Sequence, residues 1–270
     1  MDTLEKTYLN NYDISNYDRP SVTVDVAAFA IQSEKGESHR HDSEPTLSLL
    51  LIKRDDYPFK HKWALPGGFL QKYEHVRNCA LRNVFSKTSV QPTAMMPIGT
   101  FCNPGRDPRG WIISNAYVSI LNELPEASES ADWFNISYEN SNSNNRLTVH
   151  LTNDETDICI TANAVETKFG ITSYEIENYL EELAFDHAEI IIAAIEQLRR
   201  IANNFEMIFD FLPETFTIAN IQRITEAITG EKQVPANFRR KITPYVTETD
   251  DYSTGAGHRP AKLFKRKIND

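Results

Sequence analysis

Apolar positions along this chain change their period several times, and each change marks an element. Ser21 to Ile31 (SVTVDVAAFAI) and Thr46 to Lys53 (TLSLLLIK) are β-branched or aliphatic runs. The stretch between them, Ser33 to Pro45, is polar, so the pattern predicts two strands joined by a loop. Trp63 to Leu65 is a short extended piece that enters a Pro66-Gly67-Gly68 turn. Two successive glycines permit backbone angles closed to other residues and let a ligand approach the main chain. From about Glu74 the period becomes helical, with Val76, Ala80 and Val84 at i, i+4 and i+8. The segment Ile98 to Leu121 then gives IGTFC, a turn NPGRDPRG, and the strand WIISNAYVSIL. Strands alternating around one central helix predict a mixed α/β sandwich, not a helical bundle.

In the second half, Glu123 to Ile171 holds a polar run (ENSNSNNR) and two strand-like pieces, RLTVHL and DICITA, which predicts a hairpin. Ser173 to Leu183 and Asp186 to Asn203 are expected as helices. The second carries Ile190, Ala194, Ile195 and Leu198 in one stripe and should pack on the sheet, leading into a second domain or a dimer interface. Phe211 to Lys267 has the pattern of a separate small domain. Thr217 is placed to cap a helix with Ile218, Ile221, Ile224 and Ile228 on one broad side, and Gly230 to stop it. After the turn EKQVP, the segment ANFRRKITPY turns Phe238 and Ile242 inward. YVTET and AKLFKRK then flank a Gly/Ser/Asp-rich link holding Gly255, Gly257, His258, Arg259 and Pro260. Helix, turn, basic helix and hairpin follow in the order of a winged helix-turn-helix. The expected boundaries are an arm over residues 1–20, a main domain over 21–205 with an insert at about 123–171, and the winged helix over 206–270.

Composition adds three constraints. A chain of 270 residues, 40% hydrophobic, is long enough for about two domains of ordinary size. No apolar run approaches the roughly 20 residues of a membrane span, and Met1 to Asn11 lacks the basic start and apolar stretch of a signal peptide, so no membrane partner and a cytoplasmic location are expected. Cys79, Cys102 and Cys159 are scattered, which suits reduced thiols better than disulfides or zinc. His39 and His41 lie in a hydrophilic loop without a nearby cysteine and fit an exposed turn better than a metal pair. The net charge of −10 is uneven: residues 211–270 hold ten Lys/Arg against seven Asp/Glu, or +3, and residues 1–210 hold 18 against 31, or −13. An acidic body with a basic appendage fits an appendage that binds nucleic acid. Arg239, Arg240 and Lys241 on the second helix and Arg259 and Lys262 on the wing are the candidate DNA contacts, the helix for the major groove and the wing for the minor.

The stretch from Trp63 to Val90 carries the chemistry. Gly68 is followed after five residues by Glu74 and after seven more by Arg82, the spacing of a Nudix box, which this stretch resembles. That family pattern continues with carboxylates at three helix positions, which hold Asn83, Ser86 and Lys87 here. Positions i, i+3 and i+4 share one helix face. Mg²⁺ takes oxygen ligands, and pyrophosphate hydrolysis needs it to neutralise phosphate charge and position water. An amide, a hydroxyl and an ammonium there leave Glu74 as the one box carboxylate, so no metal site, no catalytic residue and no required cofactor are expected.

KWALPGGF, the degenerate box, FCNPGRDPRGWIIS and LAFDHAEII, with FRRK and GHRPAKLF in the tail, resemble the Nudix-related transcriptional regulators, relatives of ADP-ribose pyrophosphatases. The resemblance implies an α+β architecture: a Nudix-type α/β/α sandwich, here with a hairpin insertion, followed by a C-terminal winged helix-turn-helix. It also implies operator DNA as a partner, a homodimer, and a small-molecule effector, ADP-ribose or a related nucleotide or sugar. The residues it suggests for the effector are Arg54, Gly67, Gly68 and Arg82, with Arg106, Asp107 and Arg109 in the turn. Arg suits a diphosphate because its fork makes paired hydrogen bonds. Other readings stay open. Arg82 pairs equally well with Glu74, the 106–109 turn with itself, and His187 reads as a first-turn helix residue. The whole chain has two alternatives: an ADP-ribose pyrophosphatase-like hydrolase with atypical Mg²⁺ ligands, or a module whose tail binds protein.

Overall fold

A computed structural model describes residues 2–32, 44–89, 91–139, 146–166, 172–178, 181–205, 207–253 and 260–267. After an N-terminal helix α1 (Thr3–Asn11), which buries no side chain, come β1 (Ser21–Gln32), β2 (Thr46–Lys53), β3 (Trp63–Ala64) and β4 (Gly67–Phe69). Helix α2 (Val76–Thr88) precedes β5 (Ala94–Phe101) and β6 (Ile112–Leu121). Then follow β7 (Ala131–Tyr138), β8 (Arg146–Thr152), β9 (Asp157–Glu166), β10 (Thr172–Ile176) and α3 (His187–Asn203). The tail holds α4 (Ile218–Thr229), α5 (Pro235–Ile242), β11 (Val246–Tyr252) and β12 (Lys262–Arg266).

The main sheet runs β10-β9-β8-β7-β2-β1-β6-β5, with β3 on β2 and β4 on β1. β1 and β6 pair in parallel from Ser21↔Ile112 to Ala30↔Leu121, and the remaining pairs of this sheet are antiparallel. β1 lacks a polar face because both of its faces are covered. Val24, Val26, Ala28 and Ala30 pack with Cys79, Ala80 and Val84 of α2. Ala27 and Phe29, with Leu47, Leu49 and Leu51, pack on the other side against Ile190, Ile191, Ala194 and Ile195 of α3. The expected α/β/α sandwich is therefore present.

The two pieces expected as a hairpin are β8 and β9, paired antiparallel from Thr152↔Asp157 outward. They extend the main sheet beyond β7, a strand that the polar and aromatic mixture ADWFNISY did not announce. One expected element is corrected. Residues 173–183 were read as a helix, yet Thr172–Ile176 is strand β10, paired with β9. Its half-buried Tyr174 and Ile176 alternate with Glu175, a period of two that the neighbouring acidic residues obscure.

In the tail, the Thr217 hydroxyl accepts the Asn220 N–H while the Asn220 side chain accepts the Thr217 N–H, a capping box that starts α4. Gly230 ends it at φ 72°, in the left-handed region. Pro235 opens α5 at its first turn, and β11 and β12 form the wing. This is the helix, helix and hairpin order that the pattern predicts. The tail does not stand apart: its buried Ile221, Ile224, Ile228, Phe238 and Ile242 form one continuous apolar cluster with the α3 face of the sandwich. Phe238 meets Phe205 edge-on at 5.7 Å between ring centres, and the Tyr138 hydroxyl donates to the Ile228 carbonyl at 2.7 Å. Phe238 is 1% exposed, so Phe238→Ala is expected to lower the unfolding free energy by roughly 3–5 kcal/mol in a urea titration. A loss below about 1 kcal/mol would show that the two parts do not share a core.

Candidate functional site

A cleft of about 140 Å³ opens where β1, β4, the turn after β5 and the start of α3 converge. Its floor is built from buried charge. The Arg106 guanidinium, whose side chain is 4% exposed, grips Asp186 with two hydrogen bonds of 2.7 and 2.6 Å and lies 3.5 Å from Asp25. Burial works against the Arg106 charge, but the hydrogen bonds and charge of Asp186 outweigh it and raise the pKa. Asp25 also accepts the Ser114 hydroxyl at 2.5 Å. Beside it, His187 Nδ1 accepts the Leu65 N–H at 2.9 Å, which leaves any ring proton on Nε2, 3.6 Å from Asp25 Oδ1.

The walls bring Arg54, Arg109, Phe69 and Phe185 together. Phe185 is held at φ 57°, left-handed for a non-glycine residue, by the strand-like bonds Trp63 N–H to Glu182 O and Ala184 N–H to Trp63 O. The Arg54 guanidinium lies 4.9 Å and that of Arg109 5.4 Å from the Phe185 ring centre, and Arg109 also covers Phe69 at 5.1 Å. Asp107 accepts both the backbone and side-chain N–H groups of Arg109, raising the arginine's pKa. Burial, and then the charge of Arg109, lower that of Arg54. Two guanidiniums that repel each other across one cleft favour an anion between them.

The glycine turn fits closely. β4 crosses β1 at Asp25↔Gly67, and a Cβ on Gly67 would meet Asp25 Oδ1 and, at 2.7 Å, the Val24 carbonyl oxygen. A Cβ on Gly68 would stand 3.0 Å from Asn83 Oδ1. The helix face where carboxylates were missed is closed upon itself. Asn83 Nδ2 donates to the Cys79 carbonyl at 2.9 Å, the Ser86 hydroxyl to the Asn83 carbonyl at 2.9 Å, and Lys87 Nζ to the Ser130 hydroxyl at 3.4 Å. Glu74 receives two hydrogen bonds of 2.9 Å from Arg82 and one from Gln71 N–H, which hold its carboxyl down to about 2. Among the described residues no group of three or more His, Cys, Asp or Glu side chains is arranged to hold a metal ion.

Of the seven effector candidates, Arg54, Gly67, Gly68, Arg106, Asp107 and Arg109 line the cleft. Arg82 lies outside it, in the internal ion pair with Glu74. Arg106 sits in the floor, committed to two aspartates, and the 106–109 turn does bind itself through Asp107. The sequence reading passed over Asp25, Phe185 and Asp186, and took His187 as an ordinary helix residue. Asp25 left a signal: a lone acid inside the apolar run SVTVDVAAF has to find partners once buried. Phe185 left none, because its place follows from a left-handed backbone turn. For DNA, Arg239, Arg240 and Lys241 are all exposed on α5. Lys262 on the wing lies over the Tyr252 ring at 4.5 Å. Arg259 falls outside the described residues, as do His39 and His41.

Burial pushes the His187 pKa below its ordinary 6.5, more than the nearby Asp25 and Asp186 raise it. As pH falls through 6.5, the unfolded chain takes up a proton that the folded imidazole refuses, so this stabilisation is complete above that value and is lost below it. Glu74 acts in a separate window, from its ordinary 4.5 down to about 2. His150, whose pKa is raised by the hydrogen bonds its ring makes to the accepting carboxylates of Glu139 and Asp157, works in the opposite sense. The contrast to measure is therefore between wild type and His187→Asn: urea midpoints from about pH 7.5 to 5.5 should fall more steeply in the wild type. Parallel curves would mean that His187 is not held neutral.

Residues 23–140 match the NUDIX domain family, and residues 208–265 match the NrtR DNA-binding winged helix domain family. The ADPR responsive transcriptional repressor NtrR of Acinetobacter baylyi is 28% identical over 275 residues, covering 98% of this chain and 90% of that protein. The crystal structure of a MutT/nudix family protein from Enterococcus faecalis superposes with a TM-score of 0.71 at 26% identity, covering 99% of this chain and 94% of that one. Shewanella oneidensis NrtR, crystallised with a 27mer DNA, shares the fold with a TM-score of 0.59 at 23% identity, over 91% of this chain and 93% of its own. The sandwich and the helix, helix and wing that follow it are thus a Nudix domain joined to a C-terminal NrtR winged helix domain, and over nearly its whole length the chain is similar to an ADPR responsive transcriptional repressor.

Proposed function

We propose that this chain is a DNA-binding transcriptional regulator whose Nudix cleft binds ADP-ribose or a related nucleotide as an effector and does not cleave it. The observation that carries this reading is the α2 face, where Asn83, Ser86 and Lys87 bond to neighbours in place of a metal-holding carboxylate cluster. The cleft above that helix keeps the means to bind an anion. Arg106 is committed to the floor, which leaves Arg54 and Arg109 as the two guanidiniums that meet a diphosphate, with Phe69 and Phe185 beside them for a flat or apolar group. The A. baylyi relative, described as ADPR responsive, agrees with that ligand class. A homodimer on a two-fold operator and a cytoplasmic location belong to the same reading. No described helix is long and apolar enough to cross a membrane.

A ligand shifts an equilibrium only by its differential affinity for the two states. Saturating ADP-ribose is therefore expected to change the chain's affinity for an operator duplex in a mobility-shift titration. In the same preparation with Mg²⁺ or Mn²⁺, ADP-ribose should survive at the blank rate. Turnover at an enzyme's pace would replace the regulator with the hydrolase alternative. Calorimetry separates the arginines: Arg54→Ala should weaken ADP-ribose by tenfold or more, since a hydrogen bond to a charged group contributes about 1.5–3 kcal/mol. Arg82→Ala, outside the cleft, should leave the affinity nearly unchanged, and the reverse pattern would place the diphosphate elsewhere.

A further inference from the structure

The three consecutive cations of α5 cannot all face one groove. Successive residues are turned by about 100° on a helix of 3.6 residues per turn, and α5 is anchored by Phe238 and Ile242, both buried. Directly opposite that anchored side stand Ala236 and Arg240, and Asn237 lies next to Arg240 on the same outward face. Arg239 and Lys241 sit on the two flanks. All five residues are exposed. Among the described residues no hydrogen bond or ion pair engages the side chains of Asn237, Arg239, Arg240 or Lys241. Elsewhere in the tail Lys232 pairs with Glu44 and Glu226, and Arg266 covers the Phe209 ring.

On this basis, and resting on the regulator reading above, we infer that Asn237 and Arg240 read bases in the major groove while Arg239 and Lys241 hold the phosphates on either side. Asn237 is the third residue of α5, and the early residues of the second helix of a helix-turn-helix are those that reach base edges. Its amide offers a donor and an acceptor together, the pair that matches N6 and N7 of adenine. The Arg240 fork matches O6 and N7 of guanine. Side chains three apart on a helix stand about 5–6 Å from each other, and base pairs step by about 3.4 Å. The adenine and the guanine therefore lie one or two steps apart in each half-site. Ala236, small and beside Arg240 on the outward face, lets the helix approach closely.

The test selects bound sequences from a pool of randomised 30-bp duplexes with the full-length chain and its variants, followed by salt titrations on the winning duplex. The wild type should enrich a motif with adenine and guanine at that spacing. Asn237→Ala should lose the adenine preference alone, by about tenfold, with an unchanged slope of log affinity against log salt. Arg240→Ala should lose the guanine preference. Arg239→Ala and Lys241→Ala should keep the motif, weaken all sequences alike, and each reduce the salt slope by about one unit. A motif that survives Asn237→Ala unaltered, or that changes with Arg239→Ala or Lys241→Ala, overturns the assignment while leaving DNA binding in place. No enrichment by the wild type overturns the regulator reading itself, and the assignment with it.

Discussion

The guanidinium of Arg106, buried between Asp186 and Asp25, is the constraint on which the cleft depends. It joins three segments distant in sequence: the turn after β5, the middle of β1 and the residue that precedes α3. A charge so placed has no water to turn to, so removing the guanidinium strips two buried carboxylates of their cation, and breaking a buried pair typically costs roughly 3–5 kcal/mol. The same arrangement settles what remains for a ligand. In the floor one guanidinium is shared by two carboxylates, and Asp107 orients Arg109 from behind. The guanidinium of Arg54, which donates to the Pro58 and Asp56 carbonyls, and that of Arg109, which donates to Asp107, then stand on the walls beside Phe185. Binding capacity and framework are thus divided among arginines that look alike in the sequence.

From this network α3 leads directly to the tail. Its first residue, His187, is in the cleft, and the helix runs for 17 residues, about 25 Å at 1.5 Å per residue. Its later apolar positions, Leu198 and Ile201, belong to the cluster that holds Ile221 and Ile224 of α4. A second tie runs through the sheet. Tyr138, at the end of β7, donates to the carbonyl of Ile228 near the end of α4, and its ring lies against Gly230 so closely that a Cβ there would stand 2.6 Å from a ring carbon. The glycine that ends α4 in a left-handed conformation is therefore also the residue that lets the sheet approach. A shift at the start of α3 has a rigid element between it and the helices of the tail.

Much of this architecture was legible in the sequence because periodicity reports burial. β1 and β2 read as strands from uninterrupted apolar runs, α2 and α3 from a period near 3.6, and α4 from its cap, stripe and terminal glycine. The errors have physical causes. Thr172–Ile176 lies among acidic residues that favour a helical reading, but the open edge of β9 supplied partners that only the tertiary structure reveals. β7 mixes aromatics with polar residues because one of its faces is partly covered. At the site, the turn arginines were suggested by the resemblance that FCNPGRDPRGWIIS carries. Their separate roles were not, since no local pattern tells a buried arginine from an exposed one. Arg82 shows the same limit: the box spacing places it correctly, and Glu74, eight residues earlier, determines what it does.

The altered α2 face is more than a subtraction of charge. In a metal-binding arrangement, space must remain between the glycine turn and the helix for a cation and its water. Here Gly68 packs against Asn83, so the two elements are already in contact. Asn83 is 9% exposed, and its amide nitrogen donates to the Cys79 carbonyl. A carboxylate at that place would bring an anion against a carbonyl oxygen with little solvent to separate them, which is unfavourable without a cation. Lys87, bonded to Ser130, occupies the same face with a fixed positive charge and resists that cation in turn. Each substitution thus makes the reversal of the others harder. The face is a packed helix surface, and the two guanidiniums on the cleft walls do not depend on it, because Arg54 and Arg109 lie against Phe185 and Arg109 is held by Asp107.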